Sequence, residues 1–461
     1  MDFSRESVLT AKRCRDRYHP WPLKSGLAQY FAELHWSDGS SVNDITNRFL
    51  GRRMVAIGFC IDFIAIGFFF YSYGVFFKAI ADDFEGSRLG VSLGIVIAQG
   101  TGALLAPLIG RALDRYPIKQ VIALAATSLG IGFILLGFTT SPLWFYLVMC
   151  LFMGFGSTAT AQIGSLKLIS NWFVLKRGTA LGIASTGISI GGMVMPAVSA
   201  WFIVHFGWRE GFMVYGLITL VVLVPLVLRF VVSRPEDVGL LPDGLKSQEQ
   251  LPPARSPLKT SEMVVDRNFI AMVVIIGLLF GIQSATLIHM VPRATDIGID
   301  LVAAAFIASV CAGTGVVGKL AFGSMIDRMP VRLAFWIAVA SQVIGQSIMF
   351  LNNDYALFMF GAAIFGFGMG GIVPMQGAVV GAAFGRASFG QVMGVMHLLM
   401  AFIHLAGPPF TGWVYDHTGS YDAAFLTFFG LYGIVALAIA VLRVETRGSR
   451  RVSMSAKVES L

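Results

Sequence analysis

Few ionisable side chains in this sequence lie inside apolar runs, and those few could do chemistry. Asp62 stands about eight residues into a run beginning at 54, roughly 12 Å along a helix rising 1.5 Å per residue. Lys319 lies about as deep from the end of the run 300–325. A carboxylate in such a place can take up and release a proton. A cation in a low-dielectric cavity can hold a carboxylate, because pairing offsets the cost of desolvation. His397 and His404 are seven residues apart and share a helix face; they can relay protons, though a packing role explains them as well. His289 and Arg293 end the run 268–292, while Tyr71, Tyr73, Gln162, Gln283 and Gln376 are polar groups able to line a cavity. An ionisable residue within an apolar span is costly and therefore a functional candidate. Plainer readings stand beside these: Asp62 as a helix–helix hydrogen bond, Lys319 stretching toward the level of Arg328, and Lys167 snorkelling from the end of 142–168.

A second constellation occurs twice. GRALDRYPIK supplies Gly110, Asp114, Arg115, Pro117 and Lys119; GSMIDRMPVR supplies Gly323, Asp327, Arg328, Pro330 and Arg332, all at a constant offset of 213 residues. The same offset carries Pro196 to Pro409, Trp208 to Tyr421 and Phe212 to Phe425. Asp114 and Asp327 each end an apolar run. A carboxylate there can pair with Arg115 or Arg328, or meet the positive N-terminus of a neighbouring helix. Gly110 and Gly323 permit close helix approach. Lys119 and Arg332 read as topological anchors, whereas the two acids read as gating groups, since anchoring needs no acid. Arg177 and Lys176, beside Gly178 and Gly182, read as topological anchors. The Gly-rich runs 187–192 and 365–371 have no GK[ST] element or strand context and read as helix-packing surfaces.

The elements that must position these groups follow from composition. Apolar residues make up 56% of the 461 and charged ones 13%, with 52 glycines besides; mean hydropathy is +0.74. Soluble domains are about 25% charged, so a soluble enzyme and a disordered chain are both excluded. Twelve apolar segments are predicted at 54–79, 88–112, 118–139, 142–168, 179–205, 209–232, 268–292, 300–325, 331–351, 355–381, 388–414 and 422–443. Runs this long should be helices, because in lipid every backbone polar group needs an internal partner. The organisation expected is a polar tail (1–50), a six-helix bundle (51–232), a linker (233–267), a second bundle (268–443) and a short tail (444–461). The first tail shows no signal-peptide pattern; it reads either as a flexible tail or as a stretch upstream of a start at Met54. With both ends inside, 30 basic residues lie on the inner side against Lys78, Arg88, Arg209 and Arg293 outside. That split places both termini in the cytoplasm and explains the +8 charge without nucleic acid. The cysteines (Cys14, Cys60, Cys150, Cys311) form no CxxC pair, and neither metal site nor cofactor is expected.

The doubled G-x-x-x-D-R-x-x-x-K/R loop, repeated in two halves of the same orientation, resembles the major facilitator superfamily over about 54–445. The resemblance implies an all-α membrane protein, twelve transmembrane helices in two pseudo-symmetric six-helix bundles, a gating role for Asp114 and Asp327, and conformational coupling at Arg177 and Lys176, which anchoring explains equally well. YSYGVFF (71–77), WFVLKRGTALGIASTG (172–187) and GWVYDHTGSY (412–421) resemble the monocarboxylate and oxalate/formate branch; GWREGFMVYG (207–216) and RPEDVGLLPDG (234–244) are similar to bacterial members, which implies a bacterial inner membrane. Lys319 falls where such carriers place an arginine. The branch pattern is incomplete: Tyr71 stands where animal carriers have a lysine, Gly315 where they have an acid, and 388–414 lacks the lysine of oxalate exchangers. The expected activity is alternating-access transport of a small organic acid, a monocarboxylate, by proton symport or anion exchange. A carrier exporting lipophilic or cationic compounds through Asp62 is the alternative. A membrane-embedded enzyme or sensor is disfavoured, since no catalytic or nucleotide motif accompanies the spans.

Overall fold

The computed structural model describes residues 49–84, 88–247 and 259–444. The expectations for 1–48, including Cys14, for 248–258 within the linker and for 445–461 lie outside the described residues. The described chain is all-α and forms twelve membrane-spanning helices: α1 (Gly51–Asp83), α2 (Leu93–Arg115), α3 (Ile118–Gly137), α4 (Pro142–Trp172), α5 (Arg177–His205), α6 (Trp208–Phe230), α7 (Arg267–Asp296), α8 (Ala303–Ile326), α9 (Val331–Leu351), α10 (Tyr355–Phe384), α11 (Phe389–Thr418) and α12 (Asp422–Val441). Each runs 20 to 33 residues, enough to cross a hydrocarbon layer of about 30 Å. One end of the bundle, where the α2–α3, α4–α5, α6–α7, α8–α9 and α10–α11 connections lie, carries most of the basic residues and is here termed the basic face.

Several helices depart from regular geometry. α1 is π-helical over Gly67–Tyr71, and α4 over Met149–Met153 and Thr158–Ser165. A π-turn shifts the side chains that follow it to a new face, and such turns recur at functional positions. α10 breaks at Gly371. α11 breaks after His404, where Pro408 and Pro409 follow; neither can donate the N–H that an unbroken helix would require.

Two layers of side chains fix the frame. In the first six helices an aromatic cluster holds the far half of α1: Phe68 stacks on Tyr215 at 4.6 Å between ring centroids, and Phe76 meets Phe212 edge-on at 4.8 Å. Such pairs contribute about 0.5–1.5 kcal/mol each beyond area burial. In the last six, a polar belt replaces it. Gln283 Nε2 donates to Gln342 Oε1 at 3.0 Å, Gln346 Nε2 to Thr286 Oγ1 at 3.4 Å, and Tyr432 Oη to Gln346 Oε1 at 2.9 Å. In a lipid-like interior these side chains act as interhelical bonds.

The first six and last six helices meet mainly through α2 with α11 and α5 with α8. Both crossings are backbone-close because glycine lines them. A Cβ at Gly390 would press on the Gly110 carbonyl, and one at Gly182 would stand 2.5 Å from the Lys319 carbonyl and 3.1 Å from Gly323 Cα.

Candidate functional site

The basic face is tied across the halves by the two repeated acids. Asp114, at the end of α2, accepts from the backbone N–H of Gly390 at 3.0 Å and of Gln391 at 2.7 Å, the first turn of α11. Asp327, just beyond α8, accepts from the N–H of Gly178 at 2.9 Å and from Thr179 through both its N–H and its hydroxyl at 2.8 Å, the first turn of α5. Each carboxylate thus caps a helix of the opposite half, using unpaired N–H groups and the positive helix end. Of the two partners open to them in the sequence, the helix N-terminus is the one taken; neither acid forms an ion pair with Arg115 or Arg328, which point outward. Burial raises the Asp327 carboxyl above its ordinary value, against the lowering effect of the Thr179 and Gly178 donors and of nearby Arg177.

The two caps are not equivalent. Lys167 of α4 lies 2.5 Å from Asp114 Oδ1 and also donates to the Arg386 carbonyl. This corrects the snorkelling expectation: Lys167 is 1% exposed and points inward to α2 and the α10–α11 loop. Its only sequence signal is that it is the lone lysine in the run 142–168. Arg177 is also buried. It donates through Nε to the Phe173 carbonyl at 3.1 Å and through Nη2 to Ser170 at 3.3 Å, and its guanidinium fills the space beside Gly381 of α10. Arg332 Nε donates to the Leu442 carbonyl, closing the end of α12, and Lys119 is partly exposed, its backbone N–H on Ser233 Oγ; both placements suit anchoring.

Deeper in, Lys319 of α8 reaches across the interface and donates to Ser189 Oγ of α5 at 2.7 Å. Asp62 of α1 is 2% exposed, lies beside Ser165 of α4 and is within electrostatic reach of Lys319 without forming a direct ion pair. Thr160 Oγ1 and Gln162 Oε1, on the same π-helical stretch of α4 as Ser165, are buried and hold no hydrogen-bond partner. Three helices of the first half and one of the second therefore converge on one acid and one base.

The other sequence candidates separate into two groups. Tyr71 is 37% exposed, its ring against Gly192 of α5, in the interior between the halves. His397 is partly exposed on α11 and faces His404 along the same helix. Gln376 is buried with Nε2 4.0 Å from Met400 Sδ. The rest are occupied elsewhere. Tyr73 is 3% exposed and donates to the Val91 carbonyl. Gln283 belongs to the belt within the last six helices. His289 bonds the Pro408 carbonyl at 3.2 Å, and Arg293 donates to Asn353 at 3.3 Å near the far face. Polar residues at helical spacing do not reveal whether they face a cavity or a neighbouring helix. Among the described residues no His, Cys, Asp or Glu cluster could hold a metal ion.

Sequence reading missed Asp243 altogether. Its carboxylate accepts from the N–H of Val174 and Leu175 at 2.8 Å and of Lys176 at 3.0 Å. The only available signal was the PDG turn that sets it, with Asp243 in the left-handed region at φ 57°.

Comparison with known proteins agrees with this architecture. A family model described as Major Facilitator Superfamily matches residues 59–351 and 284–459. The chain is similar to monocarboxylate transporter 12-B of Danio rerio, 25% identical over 416 residues, covering 85% of this chain and 86% of the relative. It is 28% identical over 348 residues to monocarboxylate transporter 12 of Mus musculus (70% and 71% covered), and 26% identical over 388 residues to monocarboxylate transporter 11 of Homo sapiens (82% and 79%). Among solved structures, that of the human organic anion transporter MFSD10 (TETRAN) superposes with a TM-score of 0.65 at 16% identity, covering 84% of this chain and 99% of that one; this likeness speaks to fold.

Proposed function

Because the chain belongs to the major facilitator superfamily, an integral membrane family of transporters and not of enzymes, we propose that it carries a small organic anion, a monocarboxylate, together with a proton. The observation that carries this reading is Lys319: a buried cation at mid-depth, on the crossing between the halves, held only by a neutral hydroxyl and balanced at a distance by Asp62. An incoming carboxylate replaces Ser189 as the partner of Lys319. With Asp62 ionised, the site would then hold two anions and one cation in a low-dielectric interior. A proton on Asp62 restores neutrality. The empty site (Lys⁺, Asp⁻) and the fully loaded site (Lys⁺, anion, protonated Asp) are both neutral, while each half-loaded site carries a net charge and is costly to move through the membrane. Coupling follows from that difference. The same cation weighs against export of cationic compounds. The names of the relatives support the substrate class.

The basic face is cytoplasmic in this reading, by the excess of Lys and Arg in its loops, and the membrane is a bacterial inner membrane. Asp114 and Asp327 act as latches that keep this face shut while the site opens to the other; their cross-half contacts, and that of Lys167 with Arg386, lie at the basic face, below the Lys319–Ser189 contact.

The test is uptake into liposomes of labelled lactate, pyruvate, formate and oxalate under an inward proton gradient, with and without internal counter-anion. Proton-driven uptake of a monocarboxylate is expected, lost in Lys319→Gln. Asp62→Asn should retain exchange and lose the response to the gradient. Absence of uptake for every acid, or full uptake by Lys319→Gln, would overturn the reading.

A further inference from the structure

The segment joining the two halves does more than connect them. Six consecutive residues, 174–179, lie between two carboxylates that neither belong to them nor to each other's neighbourhood in sequence. Asp243, from the connecting segment, takes the N–H groups of 174, 175 and 176. Asp327, from the second half, takes those of 178 and 179. Between them the buried Arg177 feels both acids and anchors back to the end of α4. Asp243 is itself fixed, because its backbone sits in a left-handed turn that few side chains tolerate. The same segment reaches the other latch. Glu236 pairs with Arg386 at 2.7 Å, and the carbonyl of Arg386 accepts from Lys167, the partner of Asp114.

We infer that Asp243 is a positioning residue for gating: it shapes the α4–α5 turn so that the N–H groups of Gly178 and Thr179 face Asp327, and the connecting segment thereby sets the strength of the closed basic face. A free loop of three N–H groups in a row has no reason to hold one orientation. A carboxylate accepting all three selects one, and the charge-assisted bonds make the selection strong. The start of α5 is then presented in a fixed direction, and Asp327 can dock without ordering the turn first. This inference rests on the latch role of Asp327, and the experiment separates the two.

Nitroxide labels at Gln120→Cys and Leu333→Cys, exposed positions at the basic ends of α3 and α9 related by the internal repeat, report the spacing of the halves by pulsed electron resonance. The full chain is used in nanodiscs, with native cysteines replaced by serine. Asp327→Ala should lengthen the distance and cut the closed fraction at least tenfold. Asp243→Ala should shift the same distance in the same direction, with a loss of fivefold or more. The double variant should be no more open than Asp327→Ala alone, because residues acting through one contact are not additive. Asp243→Asn, which keeps one acceptor oxygen, should fall between wild type and Asp243→Ala. Amide exchange supplies a second readout: Asp243→Ala should deprotect 178–179 as well as 174–176. A wild-type distance in Asp243→Ala, deprotection confined to 174–176, or multiplying effects in the double variant would each overturn the inference. An unmoved distance in Asp327→Ala would instead overturn the latch on which it rests.

Discussion

Asp114→Asn is the perturbation whose size the structure defines best. The carboxylate accepts two backbone N–H groups of α11 and one buried ammonium, with the side chains 13% and 2% exposed on the acid and lysine sides. The asparagine keeps one acceptor oxygen and loses the charge. Removing one partner of a buried ion pair costs about 3–5 kcal/mol. The acid is not fully buried, so the lower end applies, about 3 kcal/mol or roughly 150-fold in the closed-to-open ratio. Asp114 and Lys167 belong to the same half and would stay together, so the cost differs between the states through cover: with the face closed, the start of α11 and the Arg386 carbonyl bury the ammonium, whereas opening would hydrate it. Single-molecule energy transfer between dyes at positions 120 and 333 reads that ratio directly. Adding Lys167→Met should recover at least tenfold of the loss, since the buried ammonium left without its acid is then gone. A population unchanged in Asp114→Asn refutes the latch. A double variant as open as the single one refutes the assignment of the cost to Lys167.

Three further outcomes are expected. Gly381→Val places a side chain where the Arg177 guanidinium lies, so the closed fraction should fall by about tenfold or more with membrane insertion intact, checked by the same dye pair. Tyr73→Phe loses a bond to the Val91 carbonyl, about 1 kcal/mol, and should lower Tm by a few degrees without changing KM; Tyr71→Phe should do the reverse, raising KM with Tm unmoved. The third concerns pH. Burial raises the Asp327 carboxyl above its ordinary value in this closed arrangement, and an open face that hydrated it would return it toward that value. Closure therefore gains as pH falls through the raised pKa, the gain is complete below the ordinary carboxylate value, and it is lost as pH rises. A pH titration of the dye distance should show this in wild type and not in Asp327→Asn; a slope of opposite sign would count against the assignment.

The twelve helices and the doubled acids were legible in the sequence because both are carried by side-chain identity: apolar length in one case, an exact repeat in the other. The span 331–351 agrees to the residue, and the others lie within a few residues of expectation. A helix N-terminus was among the partners the sequence offered the acids, but which helix each one caps was not legible. Their partners are backbone N–H groups of α5 and α11, which no letter of the sequence records. The same holds for Asp243, which a linker reading passed over because its three partners are also backbone. Lys167 was misjudged because a lysine near a helix end can turn outward to water or inward to an acid, and only the position of α2 decides. Tyr73 and Gln283 were grouped with Tyr71 and Gln376 because each is polar in an apolar run. The π-turn at Gly67–Tyr71, which the periodicity of the run does not reveal, leaves Tyr71 in the interior between the halves and Tyr73 against Val91.

The distance of Asp62 and Lys319 from both ends of their helices has a bioenergetic consequence. One elementary charge carried through the whole field costs about 2.3 kcal/mol per 100 mV. A site that crosses only when its charges cancel does no such electrical work, empty or loaded. On one proton per anion, voltage then neither drives nor opposes the cycle. Accumulation at equilibrium follows the pH difference alone, about tenfold per unit, and a cell that held its voltage while losing its pH gradient would lose the substrate with it.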